Sequence, residues 1–127
     1  MTDTLKTDFI KRMELLYQFQ IYDTVKFKDF DDLLAEEQLN FMEIIHKLGE
    51  IDQIITNNLT NYTLDRLNKV DLAIIRITVY ELLLKRFPAE VMINLGIELT
   101  KEFSDLDDEK QHKFTNKLLD TIYKNIK

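Results

Sequence analysis

The stretch Lys69-Val-Asp-Leu-Ala-Ile-Ile-Arg-Ile-Thr-Val-Tyr-Glu-Leu-Leu-Leu-Lys85 decides the fold class of this chain. If it is wound as a helix, apolar side chains fall on nearly every side of it, and only Arg76, Thr78 and Glu81 interrupt them. A helix at a protein surface has one apolar stripe and a polar face opposite. A helix without a polar face has to be surrounded, so the stretch predicts a buried helix through the middle of an all-helical domain.

The two charges inside this helix need partners, because an unpaired charge in a core is costly. Arg76 and Glu81 are five residues apart, which is an awkward spacing for a direct pair on one helix. We therefore expect each of them to reach a neighbouring helix or to extend its charged end into solvent.

The composition indicates a single globular domain, spanning 1–127. The chain has 127 residues, 45% of them hydrophobic and 31% charged, and its two glycines and one proline leave little material for tight turns. It has no cysteine, which excludes disulfides and thiolate metal sites. No apolar run approaches the roughly 20 residues of a membrane span, and no signal peptide is recognisable. A cytoplasmic protein without a membrane partner is expected.

Hydrophobic periodicity predicts about five main helices and one or two short ones. Gly49 falls inside the second long helix, where it indicates a close helix contact or a mild bend. Pro88 cannot continue the central helix and is expected to open the next one. The predicted elements are helices at 4–22, 36–59, 69–86, from Pro88 to about Phe103, and 110–126, with an irregular or short helical segment at 25–35, a turn at 64–67 and an acidic loop at 105–109.

Enzyme chemistry is not indicated by these residues. His46 and His112 are the only histidines and lie on different predicted helices; for His46 a structural or solvated role is favoured. Gly49 and Gly96 are isolated, so no glycine-rich phosphate loop is present. The acidic loop lacks the glycine turn and ligand spacing of a calcium site. We expect no catalysis, no metal and no cofactor.

Two asparagines stand among apolar residues, Asn94 on the predicted helix after Pro88 and Asn116 on the last helix. Buried amides need hydrogen-bond partners. The pattern favours a role in tying helices together over contact with a ligand.

The end of the chain is basic, although the whole chain carries a net charge of −6. Residues 110–127 contain five lysines and one acidic residue, Asp120. Phe114 follows Lys113 directly, and a cation beside an aromatic ring is a combination that holds single-stranded nucleic acid. The alternative is that Phe114 belongs to the core and the lysines form a solvated face, which composition alone favours.

Four motifs resemble one known family. The first is Val70-Asp-Leu-Ala-Ile-Ile-Arg76-Ile-Thr-Val-Tyr80-Glu81-Leu82, which resembles V-x-x-A-I/V-L-R-x-A-x-Y-E-L. The second is Pro88-Ala-Glu-Val-Met-Ile93-Asn94-Leu-Gly-Ile97-Glu98-Leu99-Thr-Lys101, which resembles P-x-x-V-x-I-N-E-A-I-E-L-A-K. The third is Lys113-Phe114-Thr-Asn116-Lys-Leu118-Leu-Asp120, which resembles K-F-V-N-G-V-L-D. Near the start, Leu15-Leu16-Tyr17-Gln18 resembles A-L-Y-Q. These are signatures of the NusB family of transcription antitermination factors.

The resemblance implies a compact all-helical NusB-like fold and a non-enzymatic function. NusB proteins pair with NusE, a small-subunit ribosomal protein, and the pair binds the single-stranded boxA element of nascent ribosomal RNA transcripts. The resulting RNA polymerase antitermination complex reads through terminators. By motif position, Lys113 and Phe114 are implied at the RNA. The residues implied on the NusE side are Tyr17, Asp65, Asp71 and Glu81.

The chain departs from the family pattern at its start, where an arginine-rich segment usually supplies phosphate contacts. Here the available cations are Lys6, Lys11 and Arg12, within a segment of three positive and three negative charges at 1–22. Lys117 replaces the glycine of F-V-N-G and adds one charge. The candidate RNA-binding set is Lys6, Lys11, Arg12, Lys113, Phe114 and Lys117.

Two alternatives follow from this departure and from the fold. The chain can be a diverged NusB-fold protein-interaction module with weak or no RNA binding, because fewer phosphate contacts weaken binding. The fold also occurs as the N-terminal domain of some ribosomal RNA cytosine methyltransferases, but no methyltransferase domain is found within 1–127. Some family members form dimers, so a homodimer is possible.

Overall fold

The computed structural model describes residues 2–104 and 110–126, and it is helical throughout, without a strand in either range. Five long helices, a short one and a 3₁₀ turn confirm the all-α class, and the element bounds lie within a few residues of those predicted. In chain order the elements are α1 (Thr2–Tyr22), α2 (Lys28–Asp31), α3 (Ala35–Asn58), the 3₁₀ turn (Leu64–Arg66), α4 (Lys69–Leu84), α5 (Ala89–Phe103) and α6 (Lys110–Ile126). The predicted acidic loop at 105–109 lies outside the described residues.

Helix α4 forms the centre of the molecule, as its sequence predicts. It packs against α1, α3, α5 and α6. From 71 to 82 every residue except Arg76 is buried. The outer helices each contribute one apolar stripe to the same core, which includes Phe9 and Leu16 from α1, Phe41 and Ile51 from α3, and Leu119 from α6. Burial of this apolar surface is the main force that assembles the helices.

Both ends of α4 are set by local chemistry. Asn68 is the N-cap, and its Oδ1 accepts a hydrogen bond from the backbone N–H of Asp71 at 2.8 Å. The Nδ2 of Asn68 donates to Oδ2 of Asp71 at 2.6 Å, so the two side chains satisfy the helix start together. At the other end Lys85 adopts a left-handed conformation with φ of 57°, which terminates the helix. Pro88 then stands immediately before α5, as predicted.

Arg76 and Glu81, the two charges in the middle of α4, each reach a neighbouring helix, as expected. The guanidinium of Arg76 donates to both carboxylate oxygens of Asp52 on α3, from Nε at 2.9 Å and from Nη2 at 2.7 Å. Its Nη1 donates to the side-chain oxygen of Gln20 on α1 at 3.0 Å. Glu81 accepts from Nη1 of Arg12 on α1 at 2.6 Å. These contacts fix α1, α3 and α4 against one another.

A close helix contact occurs at Gly96. Of the two alternatives predicted for Gly49, the close contact is wrong and the mild bend stays a prediction. A Cβ atom added to Gly96 would lie 2.7 Å from Oγ1 of Thr78, so only glycine lets α5 approach α4 this closely. A Cβ atom added to Gly49 would meet nothing within 4 Å. Gly49 is also exposed, so it lies on the outer side of α3.

The expectation that Asn94 and Asn116 are buried ties between helices is also wrong. Both side chains are exposed. Each lies on the outer side of an amphipathic helix, beside apolar neighbours in sequence that turn inward.

No helix within 2–104 or 110–126 is long and apolar enough to cross a membrane.

Candidate nucleic-acid and partner interface

Helix α6 presents its lysines to solvent and directs its apolar stripe inward. Lys113 and Lys117 are exposed and lie one helical turn apart, so they share a face. Phe114 is half-buried and packs against the core. Phe114 is therefore partly a core residue, and the rest of its side chain is exposed at the edge of the lysine face.

Phe114 contacts an aromatic residue that none of the sequence motifs includes. The ring of Tyr62, in the link between α3 and α4, lies 5.8 Å from the ring of Phe114 between centroids, at an angle of 50°. Cζ of Arg66 lies 5.2 Å from the Tyr62 centroid, within the range of a cation–π contact. A tyrosine and an arginine four apart in a polar link are a weak signal, and only the fold brings them to Phe114.

A cavity of about 270 Å³ opens beside this cluster. Its walls come from the 3₁₀ turn, the start of α4 and the start of α6, and the lining residues are Tyr62, Arg66, Leu67, Asn68, Asp71, Lys110, Gln111 and Phe114. The cavity places Asp71, implied on the NusE side, next to Phe114, implied at the RNA. The carboxylate of Asp71 is itself buried and hydrogen-bonded to the Asn68 side chain.

The three cations of α1 do not lie beside Tyr62, Arg66 and Phe114. Each of them forms a salt bridge with a carboxylate elsewhere in the fold. Nζ of Lys6 lies 2.8 Å from Glu98 and 2.5 Å from Glu102, both on α5. These two hydrogen bonds, with Glu102 the stronger influence, raise the pKa of Lys6 above its ordinary value. Nζ of Lys11 lies 2.9 Å from Glu37 on α3.

Arg12 points into the interior. Its guanidinium bonds Glu81, and Nη2 also lies 2.9 Å from the carboxylate of Asp8. Lys6 and Lys11 are five residues apart, about 140° around the helix, so they face different sides of α1. The structure thus separates the predicted RNA-binding set into Lys113, Phe114 and Lys117 on α6 and three cations on α1 that are paired with carboxylates.

The residues implied on the partner side are also divided by burial. Tyr17 on α1 is 37% exposed, and it lines a cavity of about 320 Å³ with apolar Met13, Val70 and Phe103 and polar Glu14 and Gln18. Asp65 in the 3₁₀ turn is exposed. Glu81 has no exposed surface, and besides Arg12 it accepts a hydrogen bond from Nη2 of Arg86 at 2.5 Å. The Glu81 hydrogen bond is the main cause of a raised pKa for Arg86.

The histidines lie apart, His46 exposed on α3 and His112 half-buried on α6. Across the described residues no three histidine or acidic side chains are grouped so that they could hold a metal ion.

A buried central helix inside a sheath of amphipathic helices, with exposed lysines on the last one, defines a small all-helical protein. Residues 13–124 match the model of the NusB family. The chain belongs to the NusB family, which confirms the resemblance found in the motifs.

Similar proteins cover nearly the whole chain. Transcription antitermination protein NusB of Listeria innocua is 36% identical over 118 residues, which are 88% of this chain and 90% of the relative. The protein of the same description from Clostridium perfringens is 32% identical over 128 residues, covering 91% of this chain and 93% of the relative. Both relatives are therefore matched over almost their full length.

Solved structures agree on the fold. The structure described as T. maritima NusB superimposes with a TM-score of 0.78 at 26% identity, covering 94% of this chain and 89% of that one. A chain in a structure titled "Crystal Structure of a Plectonemic RNA Supercoil" gives a TM-score of 0.73 at 22% identity, covering 95% of this chain and 94% of that one. At that identity the second similarity shows the fold alone.

Proposed function

We propose that this chain is a non-enzymatic transcription antitermination factor that pairs with NusE and binds boxA-type single-stranded RNA in nascent ribosomal RNA transcripts. It acts in the cytoplasm, as a single domain, within an RNA polymerase antitermination complex. The observation that carries the RNA part is the α6 surface, where exposed Lys113 and Lys117 flank the half-buried ring of Phe114. Lysines hold phosphates and an aromatic ring stacks on a base.

The partner surface that we propose centres on Tyr17 and Asp65. Tyr17 borders a cavity that a partner side chain can fill, and Asp65 offers an exposed negative charge on the 3₁₀ turn. Ribosomal proteins are generally basic, and complementary charge speeds docking. Asp71 and Glu81 are buried, so in this proposal they act by holding α4 and its neighbours in place behind the surface.

A second candidate function is a protein-interaction module with weak or no RNA binding. The pairing of Lys6, Lys11 and Arg12 with internal carboxylates favours it, because a cation already neutralised has less to gain from a phosphate. In the first proposal Lys113, Phe114 and Lys117 of α6 supply the main RNA contact. The α1 cations contribute only after they release their carboxylates and bind phosphates instead.

The experiment measures RNA binding by the purified chain together with NusE, using boxA RNA and a scrambled RNA of equal length. We expect tighter binding to boxA, with a loss on Lys113→Ala and on Phe114→Ala while NusE pairing is retained. Lys47→Ala, an exposed lysine on α3, is the matched control and should change neither. Equal affinity for both RNAs, unaffected by the α6 substitutions, would support the interaction module instead. Sedimentation of the free chain tests the homodimer.

A further inference from the structure

We propose that the cavity between Tyr62, Arg66, Lys110 and Phe114 is a subsite for one unstacked nucleobase of the bound strand. This inference rests on the proposed RNA binding and deepens it. It adds two residues from the link between α3 and α4, Tyr62 and Arg66, to a surface that the sequence motifs confine to α6. The cavity, called the base subsite below, has a volume of about 270 Å³.

The ring pair is the first argument. Tyr62 keeps 40% of its surface exposed, although its ring contacts that of Phe114. The angle of 50° between the rings makes a wedge and not a parallel stack. Both rings line the same cavity, so a base that enters it meets two aromatic side chains. A planar base can stack there, and every nucleobase has the π-face that this requires.

The charges around the cavity are the second argument. Arg66 and Lys110 both line it. Arg66 forms no salt bridge within the described part of the chain, even though Asp65 precedes it, and its guanidinium instead lies over the Tyr62 ring. Arginine in this position can stack on a base or bind its phosphate. In contrast to Lys6 and Lys11, Arg66 has no carboxylate partner among residues 2–104 and 110–126 that it would have to release before it binds RNA.

The rigidity of the cluster is the third argument. The hydroxyl of Tyr62 donates to the backbone carbonyl of Arg66 at 3.1 Å. Asn68, two residues after Arg66, is locked by its two hydrogen bonds with Asp71. The cavity wall is therefore held before a ligand arrives, which reduces the entropy that binding has to overcome. An acidic peptide could use the cations, but it would leave the ring wedge without a role, so we favour a base.

The test uses the chain in complex with NusE and a fluorescent boxA RNA. Tyr62→Ala should weaken binding by about 5- to 150-fold, the range of one base–aromatic stack. Tyr62→Phe, which keeps the ring, should bind like the unaltered chain. Tyr62→Leu keeps apolar bulk without a ring and should resemble Tyr62→Ala. Helix content and melting temperature of all three variants establish that the fold is intact.

An abasic scan of the RNA identifies direct stacking. Each nucleotide in turn is replaced by an abasic one, and affinity is measured for the unaltered chain and for Tyr62→Ala. One position should weaken binding to the unaltered chain and have little further effect on Tyr62→Ala, because both changes remove the same stack.

Three outcomes would overturn the base subsite. If Tyr62→Ala and Arg66→Ala bind normally while Phe114→Ala weakens binding, the subsite is wrong and the proposed function stands. If Tyr62→Ala lowers the affinity for every abasic RNA by the same factor, Tyr62 supports the fold and does not stack on one base. If an oligoglutamate peptide displaces the RNA at matched charge, the site recognises charge and not a base. Failure of the unaltered complex to bind boxA at all would remove the proposed function as well.

Discussion

Oε2 of Glu81 on α4 lies 2.6 Å from Nη1 of Arg12 on α1, and no part of the Glu81 side chain is exposed. Arg86, just beyond the end of α4, approaches the same oxygen from outside. One buried carboxylate thus joins α1, 69 residues earlier in the chain, to the residues just beyond the end of α4. Because a charge in a core is stable only with its partners, this cluster couples the packing of α1 to the end of α4.

Removing the carboxylate should be strongly destabilising. Glu81→Ala leaves the 12%-exposed guanidinium of Arg12 without its buried partner, and we expect a loss of about 3–5 kcal/mol in the free energy of unfolding. Urea unfolding followed by circular dichroism measures it. Asp8→Ala is the control, because Asp8 pairs with the same guanidinium from a side chain that is 55% exposed, and it should cost less than about 1 kcal/mol. Equal losses for both variants would refute the special role of burial.

The two glycines should respond to alanine in opposite directions. Gly96→Ala places a methyl group 2.7 Å from Oγ1 of Thr78 and 3.3 Å from Cδ1 of Leu119, so overpacking should cost about 1–3 kcal/mol. Gly49→Ala meets nothing within 4 Å and should stabilise α3 by about 1 kcal/mol.

A double-mutant cycle attributes the Gly96 effect to its neighbour. Thr78→Ala removes the nearest atom, so it should recover part of the loss in a Gly96→Ala background. Additive free energies of unfolding for the two changes would show that the strain arises elsewhere.

Glu37 should contribute stability that acid removes. Its carboxylate accepts hydrogen bonds from Lys11 and from the backbone N–H of Leu34, at the start of α3. These contacts, with Lys11 the larger influence, lower the pKa of Glu37 in the folded state. Because the pKa of Glu37 is lower in the folded than in the unfolded chain, its charge stabilises the folded state. This contribution to the free energy of unfolding is complete above the unfolded pKa, which is about 4.3, and is lost as the pH falls through the folded pKa.

The comparison of Glu37→Gln with the unaltered chain tests this sign. The variant should unfold more easily at pH 7, and the difference should close as the pH is lowered below about 4. Glu50→Gln, an exposed change on the same helix, should show no such pH-dependent difference. If the free energies of unfolding of Glu37→Gln and the unaltered chain differ by the same amount at every pH, the charge of Glu37 is not responsible.

Freeing Lys6 should strengthen RNA binding by the NusE complex. Glu98→Gln with Glu102→Gln removes both carboxylates that hold this lysine, so its charge becomes available to a phosphate. We expect a higher affinity and a log–log salt slope steeper by about 0.7, the value for one contact with a single strand. The matched control is Glu50→Gln with Glu90→Gln, which changes the net charge equally at exposed sites. An identical slope change in the control would mean that net charge alone is responsible.

The fold was predictable because its rules are local. The predominantly apolar, buried helix predicted at 69–86 and the break at Pro88 follow from periodicity and backbone chemistry, and both are confirmed, with the helix observed at Lys69–Leu84. Gly49 and Gly96 could not be told apart, because the outcome depends on which side of each helix meets a neighbour. Asn94 and Asn116 were misassigned for the same reason, since apolar neighbours in sequence do not tell which way a polar side chain points.

The candidate site was predictable only in part. The motif around Lys113 and Phe114 indicated α6, but Tyr62 reaches Phe114 through the conformation of the link before α4, where Asn61 has a φ of 58°. The pairing of Lys6 was also hidden, because Glu102 is 96 residues away in the chain. Side chains that meet only after folding leave no local pattern.

The central position of α4 has a consequence for the order of folding during synthesis. Both α1 and α3 bury their apolar stripes largely against α4, which follows them in the chain. The first 68 residues therefore leave the ribosome without the surface that they have to cover, and isolated helices are marginal in water. Up to that point the growing chain exposes apolar side chains that α4 covers later. A fragment ending at Asn68 should accordingly show little helix by circular dichroism, and a cooperative unfolding transition in that fragment would contradict this.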